Sequence, residues 1–182
     1  MARAAQALFA ISLVSTLVSC ASPTEQIGEE SISQPTPPEI NLRVAGIEGY
    51  RETLAKNRGQ VVLVDFWATW CAPCLAQFPH TVELHRKYQD RGLAVISVSL
   101  DDPSEAARVR EFLQEQEADF DNLLSEHGGG TEAVDAFGLP GSVPYYRVYD
   151  RSGELQHEFG VDPQAERQFT PADIEAAVSE LL

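Results

Sequence analysis

The chain has 182 residues and carries 28 Asp and Glu against 13 Lys and Arg, a formal net charge of −15. With 43% hydrophobic and 23% charged residues, the composition is globular and excludes a disordered or collagen-like chain, and the length suits one domain with extensions. The acidic balance excludes a nucleic-acid binder, which needs cations to neutralise phosphate, and three cysteines are too few for a disulfide-stapled miniprotein.

Residues 4–24 are uncharged, Arg3 is the only basic residue before them, and Ala7 to Val14 form an apolar core of signal-peptide length. The segment ends in Leu17-Val18-Ser19-Cys20. That string resembles a bacterial lipobox, which implies removal of residues 1–19, acylation of Cys20 and attachment to a membrane through lipid. An uncleaved anchor and a plain signal peptide are the alternatives, and all three place the folded part outside the cytoplasm. Residues 20–39, rich in Ser, Pro, Gln and Glu with Pro35, Pro37 and Pro38 close together, read as an extended linker. The folded domain is expected over residues 40–182.

Within that domain Ile40 to Val44 alternates as a strand, and Glu48 to Asn57 reads as a short helix. Val61 to Phe66 is a continuous apolar run, the mark of a strand buried on both faces. Pro73 to Asp90 reads as a long helix closed by Gly92. Leu93 to Ser99 is a second buried strand. Glu105 to Glu117 is a polar helix with a solvated acidic face, started by Asp102-Pro103-Ser104. Phe120 to Leu124 is a short strand, Thr131 to Phe137 a short helix and Tyr145 to Tyr149 a strand. Turn chemistry at Asp150-Arg151-Ser152-Gly153 folds Glu154 to Phe159 back as a hairpin. Thr170 as N-cap and Pro171 at the first position start a last helix. The order βαβα then ββα predicts an α/β fold: a central mixed sheet with helices on both faces.

The chemistry lies in Val64-Asp65-Phe66-Trp67-Ala68-Thr69-Trp70-Cys71-Ala72-Pro73-Cys74, at the C-terminal end of a buried strand, where open α/β sheets place their sites. Cys71 falls at a helix N-terminus, whose free N–H groups and dipole stabilise a thiolate. Cys74 is one turn further on and within reach of a disulfide that forms and breaks without moving the fold.

This stretch is similar to the thioredoxin superfamily signature, and the lipoprotein-like start, the linker and Cys74-Leu75-Ala76-Gln77-Phe78-Pro79 make it resemble the extracytoplasmic TlpA/ResA group over residues 40–182. The resemblance implies a thioredoxin-like fold and thiol–disulfide exchange with no cofactor. Cys71 would attack, Cys74 would resolve, and Asp65 would pass the resolving proton, since burial raises a carboxyl toward the working range. Val143 and Pro144 would form the family's cis-proline substrate contact, although the loop from Phe137 is about one residue long and holds a second proline, Pro140. Trp70 would offer an apolar contact and Trp67 would be core. Gln77 departs from a family glutamate and places a cytochrome-maturation role in doubt. Implied partners are disulfide-containing extracytoplasmic proteins and a membrane electron donor, acting on a monomer.

Other readings compete. A structural disulfide this short would constrain almost nothing. A copper or zinc site could recruit His80 or His85 to the two cysteines, and a metal assembly factor is the alternative function. Haem attachment fails at Leu75, which is not the required His. A thiol peroxidase pattern fails at Val64, where a Pro is needed. His127-Gly128-Gly129-Gly130 lacks the Lys of a P-loop and reads as a connector, His157 as structural, and Asp65 alternatively as a cap of the next helix. Ala72-Pro73 lacks the His that favours strongly oxidising relatives, so a reductase is expected.

Overall fold

A computed structural model describes residues 40–182. The expected signal segment (1–19), Cys20 and the linker (20–39) lie outside the described residues. The elements run β1 (Leu42–Ala45), α1 (Ile47–Lys56), β2 (Val61–Trp67), α2 (Ala72–Tyr88), β3 (Leu93–Ser99), α3 (Ala106–Glu115), β4 (Asp121–Ser125), α4 (Thr131–Ala136), β5 (Tyr145–Tyr149), β6 (Leu155–Gly160) and α5 (Pro171–Leu181).

Six strands form one sheet in the order β1-β4-β3-β2-β5-β6. The first four are mutually parallel, and β5 and β6 are antiparallel to their neighbours. Every residue of β2 and of β3 is buried, as expected for central strands covered on both faces. Alternation along β2 separates the layers. Trp67 packs on Phe78 of α2 and Phe112 of α3, at 4.8 and 4.9 Å between ring centroids. Phe66 points the other way, to Tyr50 of α1 and to Phe137 just past α4. Helices α2, α3 and α5 therefore share one face with Asp65, and α1 and α4 share the other. Among the described residues no helix is long and apolar enough to cross a membrane.

In three elements the boundaries shift from expectation for a clear local reason. The long helix tightens into a 3-10 turn at Gln89–Arg91, where terminal carbonyls lack α-helical partners. The acidic helix begins at Ala106 because Asp102 accepts the Ser104 N–H and sets a 3-10 turn over Pro103–Glu105. It ends at Glu115 because Glu117 takes a left-handed φ of 54°. Strand β6 starts at Leu155 because the Asp150 carboxylate holds the N–H groups of Ser152 and Glu154 in the turn.

Candidate active site

The site forms where β2 stops and α2 starts. Cys71 is the N-cap of α2, and its Sγ accepts the Cys74 N–H at 3.3 Å. That hydrogen bond and the helix dipole favour negative charge on this sulfur once the pair is reduced. Cys71 and Cys74 are joined by a disulfide with Cα atoms 5.3 Å apart. Cys71 is 5% exposed and Cys74 only 1%, so an incoming group meets Cys71 first. Between them Ala72 and Pro73 begin the helix, where Pro loses no hydrogen bond.

Trp70, directly before Cys71, is 57% exposed, while Trp67 is wholly buried. The loop that carries Trp70 is pinned from β3. Asp101, itself buried, accepts from Thr69 N at 2.9 Å, Thr69 Oγ1 at 2.6 Å and Ser99 Oγ at 2.6 Å. The 127–130 segment, expected only as a connector, lies against the same loop. A Cβ on Gly129 would stand 3.1 Å from Leu100 O, a tight approach, and 3.7 Å from Trp70 Nε1, an ordinary contact, so a side chain here would press on the Leu100 carbonyl.

On the opposite side, the peptide bond from Val143 to Pro144 is cis. Val143 O lies 3.7 Å from Cys71 Sγ, within reach of a thiol donor. Below the cysteines, Asp65 sits in the interior of β2 and is 1% exposed. Its Oδ2 accepts from Thr81 Oγ1 of α2 at 2.6 Å, and its Oδ1 has no hydrogen-bond partner. Tyr146 stands directly opposite on β5. Burial pushes the Asp65 carboxyl up to about 7, against the Thr81 and Tyr146 hydroxyls, which pull it down. Burial also holds the Tyr146 hydroxyl far above the usual phenol range, and the neighbouring Asp65 charge adds to this. Asp65 is therefore not a helix cap; Cys71 fills that place.

The remaining candidates lie elsewhere. His80 Nε2 is 3.0 Å from Pro171 O. His85 packs edge-on against Phe120, and its Nε2 is 3.5 Å from Asp119. Neither joins the cysteines: among the described residues no group of three or more His, Cys, Asp or Glu is placed to hold a metal ion, and the metal alternative finds no support. His157 stacks on Phe159 at the β6 surface. Val64, at the peroxidase proline position, is buried in β2. Gln77 buries a side-chain oxygen that has no hydrogen-bond partner.

Sequence reasoning passed over Thr81, Asp101 and Arg147. Thr81 had a signal, since it lies about two turns after Cys74 on the same helix face. Arg147 stands out as a charge inside the aromatic run Tyr145-Tyr146-Arg147-Val148-Tyr149. Asp101 had none, because its partners come from two separate segments.

A mixed sheet with helices on both faces, an exposed-side and a deeper cysteine one helical turn apart, and a cis-proline beside the first define a thiol–disulfide oxidoreductase of thioredoxin-like fold. The comparisons agree. The model of the AhpC/TSA family matches residues 36–173, and the chain belongs to that family. Among curated proteins it is 28% identical over 130 residues to the thiol-disulfide oxidoreductase ResA of Bacillus cereus, covering 71% of this chain and 67% of that one. The chain spans about two thirds of the length of the curated relatives it matches. Among solved structures, a Chlorobium tepidum protein assigned as thiol:disulfide interchange protein DsbE aligns at 29% identity and a TM-score of 0.54, covering 70% of this chain and 81% of that one. A secreted disulfide oxidoreductase of Mycobacterium tuberculosis shares the fold at 17% identity and a TM-score of 0.54, over 70% of this chain and 86% of that one.

Proposed function

We propose that the protein reduces disulfides of extracytoplasmic proteins through a Cys71–Cys74 dithiol cycle. The observation that carries this reading is the placement of Cys71 Sγ at the start of α2, 3.7 Å from the carbonyl that precedes a cis-proline. In the reduced protein the Cys71 thiolate attacks one sulfur of the substrate disulfide. That S–S bond breaks, a mixed disulfide forms, and the leaving thiolate takes a proton from solvent. Cys74 then gives its proton to the Asp65 carboxylate and attacks Cys71 Sγ. The mixed disulfide breaks, the second substrate thiolate leaves, and two electrons have passed to the substrate. A dithiol donor at the membrane restores the pair.

Each residue has a physical reason for its part. Asp65, held near neutrality by burial, can both accept and release a proton at working pH. The Val143 backbone offers hydrogen bonds to an extended substrate and Pro144 fixes its direction, while Trp70 gives an apolar surface beside the sulfur. The reducing direction is supported by Ala72-Pro73, which supplies no cation to the Cys71 thiolate. The lipobox-like Leu17 to Cys20 supports a lipid anchor at Cys20 on an extracytoplasmic membrane face, with residues 20–39 as tether and a monomeric domain beyond. Gln77 cannot ionise, so the reading does not extend to cytochrome maturation.

Redox titration of the full-length chain in dithiothreitol buffers tests the reading. The expected result is one two-electron transition at a reducing potential, lost in Cys71→Ser and in Cys74→Ser, with Cys74→Ser accumulating mixed disulfides on Cys71. A strongly oxidising potential would make the protein a disulfide donor instead, and absence of any reversible transition would refute the exchange cycle.

A further inference from the structure

We propose that Arg147 is a positioning residue for substrate binding: it clamps the base of the 137–147 segment and so holds Val143 and Pro144 in register with Cys71. The inference rests on the reading that the Val143 backbone binds substrate. It adds the device that keeps that backbone in place.

Between the end of α4 and the start of β5 the chain passes Cys71 before it enters the sheet. Its far side carries Val143 O, 3.7 Å from Cys71 Sγ. Its base is closed by one side chain. Arg147 Nη1 donates to Phe137 O at 3.0 Å and Nη2 to Gly138 O at 2.8 Å. Nε donates to Glu158 Oε1 on β6 at 3.0 Å. The guanidinium also lies over the Phe66 and Tyr145 rings, 5.3 and 5.7 Å from their centroids.

Two features make this more than a surface ion pair. Phe137 and Gly138 end α4, where carbonyls have no helical partner and the dipole favours a cation. A guanidinium is a planar fork that reaches two successive carbonyls at once, and an ammonium offers no such geometry. The backbone of Arg147 is itself fixed, because it pairs with Val64 in β2 and with Glu158 in β6. The clamp therefore ties both ends of the excursion to the strand that positions Asp65. Just past the anchored Gly138, which has φ of 61°, stands Gly141, whose Cβ position is open. Gly141 resists bending little, so the base adds to the burial of Leu139 and Val143 in setting the register of Val143.

No hydrogen bond links Arg147 to either cysteine among the described residues. Losing the clamp should weaken docking of an extended peptide and leave the sulfur chemistry unchanged. The test uses full-length protein pre-reduced with dithiothreitol, freed of it, and mixed with two oxidants. One is a synthetic peptide with a single internal disulfide; the other is dithiobis(nitrobenzoate), a small disulfide with no backbone to pair.

In Arg147→Gln the half-saturating peptide concentration should rise about tenfold, the equivalent of one lost hydrogen-bonded contact. The limiting rate, the rate with dithiobis(nitrobenzoate) and the reduction potential should stay at wild-type values. Arg147→Lys should fall between, and it decides the matter if the Gln variant is too unstable to assay. Glu158→Ala keeps both loop bonds and should behave as wild type. The proposal is overturned if both oxidants slow together, if peptide saturation does not change in either Arg147 variant, or if Glu158→Ala reproduces the defect. A wild-type protein that reacts with dithiobis(nitrobenzoate) but not with the peptide would instead defeat the parent reading of protein-disulfide reduction, and this inference with it.

Discussion

Asp65 shows how one side chain couples the core to the chemistry. Its folded pKa, raised by burial to about 7 from 3.8, lies above the unfolded value, so the folded state keeps a proton that the unfolded chain releases. The contribution of Asp65 to stability is therefore highest below the unfolded value, falls as pH rises between the two, and stays reduced above about 7. Asp65→Asn keeps an acceptor for Thr81 and removes the ionisation. Denaturant unfolding of the oxidised variant should show it more stable than wild type by on the order of 2–4 kcal/mol near pH 8, with the gap closing near pH 4. The same substitution should cost the resolving step. Release of the second substrate thiol should rise with pH around a midpoint near 7 in wild type and become slow and nearly pH-independent through that range in the variant.

At the scale of elements, the site is a junction between segments, and two ties hold it, one buried at Asp101 and one part-buried at Arg147. The Asp101 tie is the clearer structural one: three donors converge on a carboxylate that is 2% exposed. Asp101→Ala would leave Thr69 N–H, Thr69 Oγ1–H and Ser99 Oγ–H without their acceptor in the interior. Denaturation should show a loss of about 3 kcal/mol, with Asp101→Asn, which retains one carbonyl oxygen, losing less. The Trp70 loop sits directly on this tie, so Trp70 fluorescence in the folded Asp101→Ala variant should report a more solvent-exposed indole. Helix α4 lies in the chain between Gly129, which approaches Leu100 O, and the carbonyls of Phe137 and Gly138 that Arg147 holds.

Over the whole molecule, one aromatic cluster ties the site-bearing helix to the sheet. Phe78 of α2 touches Trp67 at 4.8 Å, Phe112 at 5.2 Å and Phe120 at 6.3 Å between centroids, and is fully buried. Phe78→Ala opens a cavity between α2, α3 and β2 and should cost about 3–5 kcal/mol, read as a lower denaturation midpoint at unchanged slope. Because α2 carries both cysteines and Thr81, peptide reduction should fall at temperatures well below the wild-type unfolding transition.

Much of this was legible in the chain. The apolar runs at Val61 and Leu93 were readable as strands buried on both faces because they are short, rich in β-branched residues and bounded by turn signals. Pro144 was named only through the resemblance to the thioredoxin superfamily, with Pro140 in the same loop, whereas Cys71, Cys74 and Asp65 stood out locally, because a helix start places one sulfur above the next and a carboxyl in an apolar run demands a reason. Thr170, with Pro171 after it and Asp173 completing the capping box, was readable as a helix start for the same local cause. What only the tertiary structure decided was every pairing across distant segments. These are Thr81 beneath Asp65, Asp101 behind Trp70, Gly129 against the indole, and Arg147 across the base of the cis-proline loop. Local sequence encodes backbone preference and the periodicity of burial. Which buried donor meets which buried acceptor depends on strand order and crossover packing, and those emerge only when the sheet closes.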